Sequence, residues 1–366
     1  MKVLEAFGEP VADGGQEAFV FGILQKMDRA GLEVDFLTAY DWRSDHYRKL
    51  SKELGGSAYS LKLPFIPGRS RSNIIRPFRT FLKKHSYDVI HIHSGSISVL
   101  TIMAAEADRA GVKKVIVHSH CTGDRDDLKH RILRYLASLS MRRHVDVYAA
   151  CSYIAANWKF EPAYARKAVI IKNGIDTERF SYDAERRKTL RSELGVSGKF
   201  IIGHVGRFCY QKNQAFLIRI LEAAVKADPD TILLLVGDGE ERHAIELLVK
   251  KKGLSRKVIF TGTVENVEDY LQAMDVFVFP SRFEGLGIAA VEAQCAGLPA
   301  VLSDSLPQEA GLSERAVFLS LEDPPEKWAN TARMIFNPQR NQQTSLIQGA
   351  GYDIRVTAAE VRKLYF

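Results

Sequence analysis

The sequence predicts an α/β protein made of two doubly wound domains. Three features carry that expectation. Short β-branched runs alternate with helix-length segments along the chain, the pattern of parallel strands with crossover helices. The alternation stops across residues 173–198 and then restarts. The 366 residues also exceed one ordinary core and suit two or three domains of about 150 residues each.

The first run, KVLEAF, reads as a buried strand, because Glu5 interrupts its apolar stretch too early for a secretory signal. A helix follows over roughly 16–30, then the strand LEVDFLT. YDVIHIH, KKVIVHSH and VDVYAACS continue the series. The segment NGIDTERFSYDAERRKTLRSELGVSG carries turn residues and a charged helix but no buried strand, so it reads as the joint. KFIIGHVG opens a second series, continued by DTILLLVGDG, RKVIFTG, DVFVFPS and LPAVLSD. The closing DIRVTAAEVRKLYF reads as a helix after a glycine-rich hinge at 348–351, suited to packing back on the first domain. The expected division is 1–175 with the helix 352–366, a linker 176–198, and 199–351.

Composition is that of a soluble globular protein, 46% hydrophobic and 26% charged, with no apolar run of the roughly 18 residues that would span a bilayer. Cys121, Cys151, Cys209 and Cys295 show no CxxC spacing, which indicates neither a zinc site nor a disulfide framework and fits a reducing cytoplasm. The net charge of +7 is uneven: residues 1–180 hold 28 Lys+Arg against 20 Asp+Glu, and residues 181–366 hold 23 against 24. The first half either meets an anionic partner or presents a solvated basic face.

Ligands of open parallel sheets bind beyond the carboxyl ends of the strands. Gly14-Gly15 follows the first strand and leads into a helix, which is either a turn or a close backbone approach to an anion. In HVGRFCYQKNQ, Arg207 and Lys212 stand five residues apart; two such cations are solvated or clamp a diphosphate without metal. VFVFPSRFEGLGIAAVEAQ is a buried strand, a loop with Glu284, and a helix starting near Gly287 that carries Glu292. Its glycines expose N–H groups to an anion, while both glutamates can accept from sugar and ribose hydroxyls or simply complement the helix start. His91 and His93, like His118 and His120, share one face of a strand, so one of each pair can reach the crevice while the other is a buried structural histidine. No zinc ligand set at familiar spacing, GxGxxG fingerprint, Walker loop or Gly-x-Ser-x-Gly elbow is present, and the GDRDD and GDGEER clusters read as loops.

Together, EGLGIAAVE, GRFCYQKN, the N-terminal GG loop, NGID at 173–176 and FPSRFEG resemble the family 4 retaining glycosyltransferases of the GT-B fold, especially those building bacterial capsule or exopolysaccharide. The resemblance implies two Rossmann-like domains facing each other across an inter-domain cleft. It implies metal-independent transfer of a sugar, with retained configuration, from a UDP- or GDP-linked donor to a hydroxyl of a glycan or lipid-diphosphate-linked acceptor; no cofactor is implied. A phosphate oxygen then takes the acceptor proton and no protein nucleophile is named. Arg207 and Lys212 would bind the diphosphate, and Glu292 the ribose. Glu284, with the backbone of Phe283, Gly285 and Leu286, would hold the donor sugar and distal phosphate. Gly15 would approach the phosphates, His120 the donor sugar with His118 as competitor, and Thr263 and Val264 the base.

A lipid-linked acceptor gives the basic first half a use. Residues 69–84 contain six cations and no acid, with Arg76, Arg79 and Lys83 at helical spacing, and residues 128–143 interleave five with apolar positions. These segments either meet an anionic membrane at the inner face of the cell membrane or are helices whose apolar stripes face the core. Nucleic acid is disfavoured, because aromatic interleaving is missing. The alternatives are a nucleotide-sugar isomerase of the 2-epimerase type and a non-catalytic nucleotide-sugar-binding subunit.

Overall fold

The computed structural model describes the whole chain except Asp13, 67–69, Cys121 and 123–127, so Arg69 and the GDRDD acids lie outside the described residues. The chain divides into two compact units, Met1–Gly174 with Ile354–Phe366, and Ile175–Asp353.

The first unit holds seven strands: β1 (Lys2–Phe7), β2 (Glu33–Thr38), β3 (Ala58–Ser60), β4 (Val89–His93), β5 (Lys114–Ser119), β6 (Val147–Ala150) and β7 (Val169–Ile170). All pair in parallel, in the order β3-β2-β1-β4-β5-β6-β7. Apolar side chains leave both faces of this sheet, as parallel sheets require. One core gathers around Phe78, Ile92 and Met103, and the other around Phe7, Phe21 and Phe36. The C-terminal helix Ile354–Tyr365 supplies Ile354, Val361 and Tyr365 to the second of these. Gly174 lets it approach, since a Cβ there would lie 2.4 Å from Thr357 Oγ1 and 2.7 Å from Ile354 Cα.

The second unit holds β8 (Phe200–Val205), β9 (Thr231–Val236), β10 (Val258–Phe260), β11 (Val276–Phe279), β12 (Ala300–Ser303) and β13 (Ala316–Leu319), parallel in the order β10-β9-β8-β11-β12-β13. TILLLV and VFVF are buried along their whole length.

The segment read as a linker is part of this unit. Its helix Ala184–Glu193, capped by Asp183 on the N–H groups of Glu185 and Arg186, packs on the helix Val267–Ala273. Arg187 and Arg191 both donate to the buried Asp275, which also accepts from Ile201 N at 2.8 Å. A charged helix without a buried strand is thus tethered by its arginines instead of an apolar stripe.

The basic row at 76–83 is only partly free. The helix Ile75–Lys84 turns Phe78, Phe81 and Leu82 inward, and Arg79 makes a two-bond pair with Glu106 at 2.6 and 3.0 Å. The helix Leu128–His144 differs: it buries Ala137 and Met141 while leaving Leu128, Ile132, Tyr135 and Leu136 between 52% and 71% exposed. No helix among the described residues is long and apolar enough to cross a membrane.

Removing Asp275 strands two guanidinium groups and a strand N–H. Asp275→Ala should cost about 3 kcal/mol in urea unfolding, whereas Arg186→Ala, whose carboxylate partners are 3.4 Å away and part exposed, should change stability by less than about 0.5 kcal/mol.

Candidate functional site

In each unit the strand order reverses once. In the second unit that point lies between β8 and β11, with β9 and β10 to one side and β12 and β13 to the other. Loops leaving adjacent strands in opposite directions open a crevice at such a point. Here the loops are 206–213 and 280–287.

They are stitched together by polar contacts. Asn213, in the left-handed region at φ 56, donates from Nδ2 to Pro280 O at 3.2 Å and accepts from Arg282 Nη2 at 3.1 Å. Arg282 N donates to Gln211 O at 2.8 Å, and Gln211 Nε2 donates to Phe283 O at 2.9 Å and Glu284 Oε2 at 3.0 Å. Lys212 Nζ donates to Glu284 Oε1 at 2.6 Å and sits 4.6 Å from the Phe279 ring centre. Gly206 leaves the lysine stem room, since a Cβ there would already be 3.3 Å from Lys212 Cδ and Cε. Arg207 is exposed, and its guanidinium makes no ion pair among the described residues. Ser281 Oγ and Arg282 Nε are buried without a hydrogen-bond partner among the described residues.

Gly285 and Leu286 are buried, and Gly287, at φ 88, starts the helix Ile288–Cys295 with no side-chain cap on its first N–H groups. Glu292 lies on the second turn. Burial raises its carboxyl to about 7, opposed by Arg179 and Lys212 and reinforced by Glu268. Arg179 donates to Glu268 Oε2 at 2.8 Å and Glu265 O at 2.7 Å, so it lies beside the loop carrying exposed Thr263 and half-buried Val264. A cavity of about 500 Å³ bounded by Phe216, Arg219, Glu222 and Pro324 shares no residue with this cluster.

In the first unit the reversal lies between β1 and β4. Gly15 begins the helix Gly15–Lys26 and is exposed; a Cβ there would meet nothing within 4 Å, so its own unit does not demand a glycine. His91 and His93 of β4, His118 of β5 and His120 just after it converge on one buried network. His93 Nε2 lies 2.7 Å from Glu5 Oε2 and His93 Nδ1 2.8 Å from His120 Nε2. His91 Nε2 lies 3.2 Å from His118 Nδ1, and Tyr365 Oη donates to Glu5 Oε1. Burial depresses all four imidazoles, His93 to about 3, and raises Glu5. Ring nitrogens of His91, His93 and His118 come within 4.8 Å of one another, a spacing that a metal ion could bridge, though the pairs just described already fit hydrogen bonds. His118 is wholly buried, and His120 is half-buried with its ring centre 5.0 Å from that of Phe19.

The structure therefore brings Lys212, Phe283, Glu284, Gly285 and Leu286 into one cluster, puts Glu292 within electrostatic reach of Lys212, and in the other unit sets Gly15 at a helix start and His120 at the end of β5. Gln211, Arg179 and Glu5 were missed. Glu5 was the legible one, as an acid in the middle of a buried strand.

The description Glycosyltransferase Family 4 matches residues 13–179, and Glycosyl transferases group 1 matches 186–331. EpsF of Bacillus subtilis (strain 168), named as a glycosyltransferase, is 30% identical over 96% of this chain and 93% of its own. The capsular polysaccharide biosynthesis glycosyltransferase CapH of Staphylococcus aureus is 26% identical over 79% of each chain. Among solved structures, Anabaena HepE in complex with UDP and glucose superposes with a TM-score of 0.81 at 20% identity, covering 99% of this chain and 98% of that one. The fold and these relatives thus define a glycosyltransferase of the GT-B fold. The chain belongs to glycosyltransferase family 4. The isomerase and binding-subunit alternatives are not favoured, since these relatives are named as glycosyltransferases.

The raised Glu292 carboxyl makes stability depend on pH. Between its unfolded value near 4.5 and about 7 the folded protein holds the extra proton, so stability falls as pH rises through that window. Glu292→Gln should flatten the decline between pH 5 and 7.5 by on the order of 2 kcal/mol, read by urea unfolding.

Proposed function

We propose that this enzyme transfers a sugar, with retained anomeric configuration and without a metal ion, from a UDP- or GDP-linked donor to a hydroxyl of a glycan or lipid-diphosphate-linked acceptor in polysaccharide biosynthesis. The observation that carries the reading is the Lys212–Glu284 pair at the β8/β11 reversal, with Arg207 exposed on the same loop. The names of EpsF and CapH support it, as does the UDP-glucose in another HepE structure.

An ammonium has three donors, and Glu284 Oε1 takes one. A diphosphate between Lys212 and Arg207 uses the others and adds a guanidinium fork. As the glycosidic bond breaks, negative charge grows on the leaving phosphate, where these cations and the uncapped N–H groups after Gly287 stabilise it more than in the ground state. Glu284, with the backbone of Phe283, Gly285 and Leu286, holds the donor sugar and distal phosphate. Glu292 accepts from the ribose hydroxyls and Thr263–Val264 border the base. From the first unit, Gly15 offers a helix N-terminus without a side chain in the way, and His120 contacts the donor sugar.

Arg207→Ala should lower kcat about 100-fold in a nucleotide-release assay with acceptor present, while excess EDTA leaves the wild-type rate unchanged. A metal requirement, or an Arg207→Ala enzyme at full rate, overturns the diphosphate clamp.

The helix Leu128–His144 has an exposed apolar face, with Lys129, Arg131, Arg142 and Arg143 exposed along it. We propose that this helix lies in the headgroup region of an anionic bilayer, with the enzyme in the cytoplasm at the inner face of the cell membrane. Flotation with liposomes containing anionic lipid should recover the wild type, and Ile132→Glu with Leu136→Glu should abolish recovery; equal recovery with neutral lipid counts against the idea.

A further inference from the structure

Gln211 is tied to three consecutive residues of the facing loop. Its backbone oxygen accepts from Arg282 N at 2.8 Å, while its side-chain Nε2 donates to Phe283 O at 2.9 Å and to Glu284 Oε2 at 3.0 Å. A backbone carbonyl oxygen carries no hydrogen in any protonation state, so the contact with Phe283 O fixes which end of the amide is the nitrogen. Both amide hydrogens then have acceptors, and the direction of each bond follows.

The two loops stay joined without these bonds. Arg282 N on Gln211 O, Asn213 Nδ2 on Pro280 O and Arg282 Nη2 on Asn213 Oδ1 already hold them, and none of the three uses the Gln211 amide. What the amide adds lies at Glu284. The terminal torsion of a glutamate is broad, so a single donor leaves the plane of its carboxylate undetermined. Lys212 on Oε1 is such a donor, a point charge at the end of a flexible stem. A second donor on Oε2 fixes the plane. The Glu284 side chain is nearly enclosed, 8% exposed against 18% for Lys212, so the orientation of its carboxylate decides what a ligand at the opening meets.

Lys212 also carries a charge that a diphosphate draws, which loosens its hold on Oε1, whereas a neutral amide is drawn far less. Resting on the reading of Glu284 as a donor-sugar contact, we propose that Gln211 is a positioning residue that holds the Glu284 carboxylate in one orientation whether or not Lys212 is engaged by the diphosphate. Recognition of the sugar hydroxyls is thereby kept separate from the phosphate clamp, although both use the same short loop.

Isothermal titration calorimetry of the full-length chain with UDP, UDP-glucose, GDP and GDP-mannose reads the ratio of each nucleotide-sugar affinity to that of its nucleoside diphosphate. Gln211→Met keeps an unbranched side chain of similar length and the three other loop bonds, but has no donor. It should lower the affinity for the nucleotide sugar about tenfold and leave that for the matching nucleoside diphosphate within about twofold. A loop that had merely come apart would weaken both ligands, because Arg207 and Lys212 lie on it, so equal loss overturns the role of Gln211, as does no loss. Should Gln211→Met fail to fold, a crystal structure of the wild type with UDP decides. Gln211 Nε2 still on Glu284 while Lys212 Nζ meets a phosphate upholds the role, and a carboxylate parted from Gln211 overturns it. Glu284→Ala separates the two readings: if it leaves the ratio unchanged, the donor-sugar role of Glu284 falls, and if it changes the ratio while Gln211→Met does not, only the role of Gln211 falls. A wild type that binds none of the four ligands overturns both.

Discussion

A lysine ammonium held 2.6 Å from a glutamate carboxylate, where β8 and β11 part company, is the interaction on which the candidate site depends. Lys212 and Glu284 come from loops more than 70 residues apart, and neither would be stable alone at that depth, because a buried charge without a counter-charge is costly. Paired, they neutralise each other while leaving donors unspent. Gln211 and Asn213 fix the geometry by bonding one loop to the backbone of the other.

Parallel β-sheets explain why the cluster lies there. A central strand is buried on both faces and hydrogen-bonded on both edges, so its middle tolerates few polar side chains. At the reversal of strand order, neighbouring loops lead away from each other, and polar groups gain room without breaking the ladder. Both units place their main polar cluster by this rule. In the first unit the polar groups penetrate further: Glu5 lies opposite His91 in the β1–β4 register and its carboxyl meets His93, two residues along the same strand. That penetration is tolerated because nearly every polar atom meets a partner, and Tyr365 closes the carboxyl from the terminal helix.

The two basic segments show how similar compositions take different structural roles. The helix Ile75–Lys84 has large apolar residues at positions that meet the core, and one of its arginines is claimed by Glu106. In the helix Leu128–His144 the inward positions are the small Ala137 and the flexible Met141, while larger apolar side chains point outward. Charge counts cannot separate these cases; the direction of the apolar stripe does.

The sequence by itself determined the alternation of strands and helices, and so the doubly wound class, because two-sided burial forces apolar runs such as TILLLV and VFVF. It also made Arg207, Lys212, Glu284 and Glu292 legible as candidates, since each follows a strand at a loop or helix start. Only the tertiary structure decided that residues 176–198 belong to the second unit, because Arg187 and Arg191 find Asp275 through space and leave no periodic trace in the chain. It alone decided that His91, His93 and His118 are all enclosed while His120 is half-buried, against the expectation of one reaching histidine in each pair, and that Gln211, Arg179 and Glu5 attend the candidate sites. Hydrogen bonds between residues 70 to 360 positions apart depend on how sheets stack their strands, and local pattern carries no record of that order.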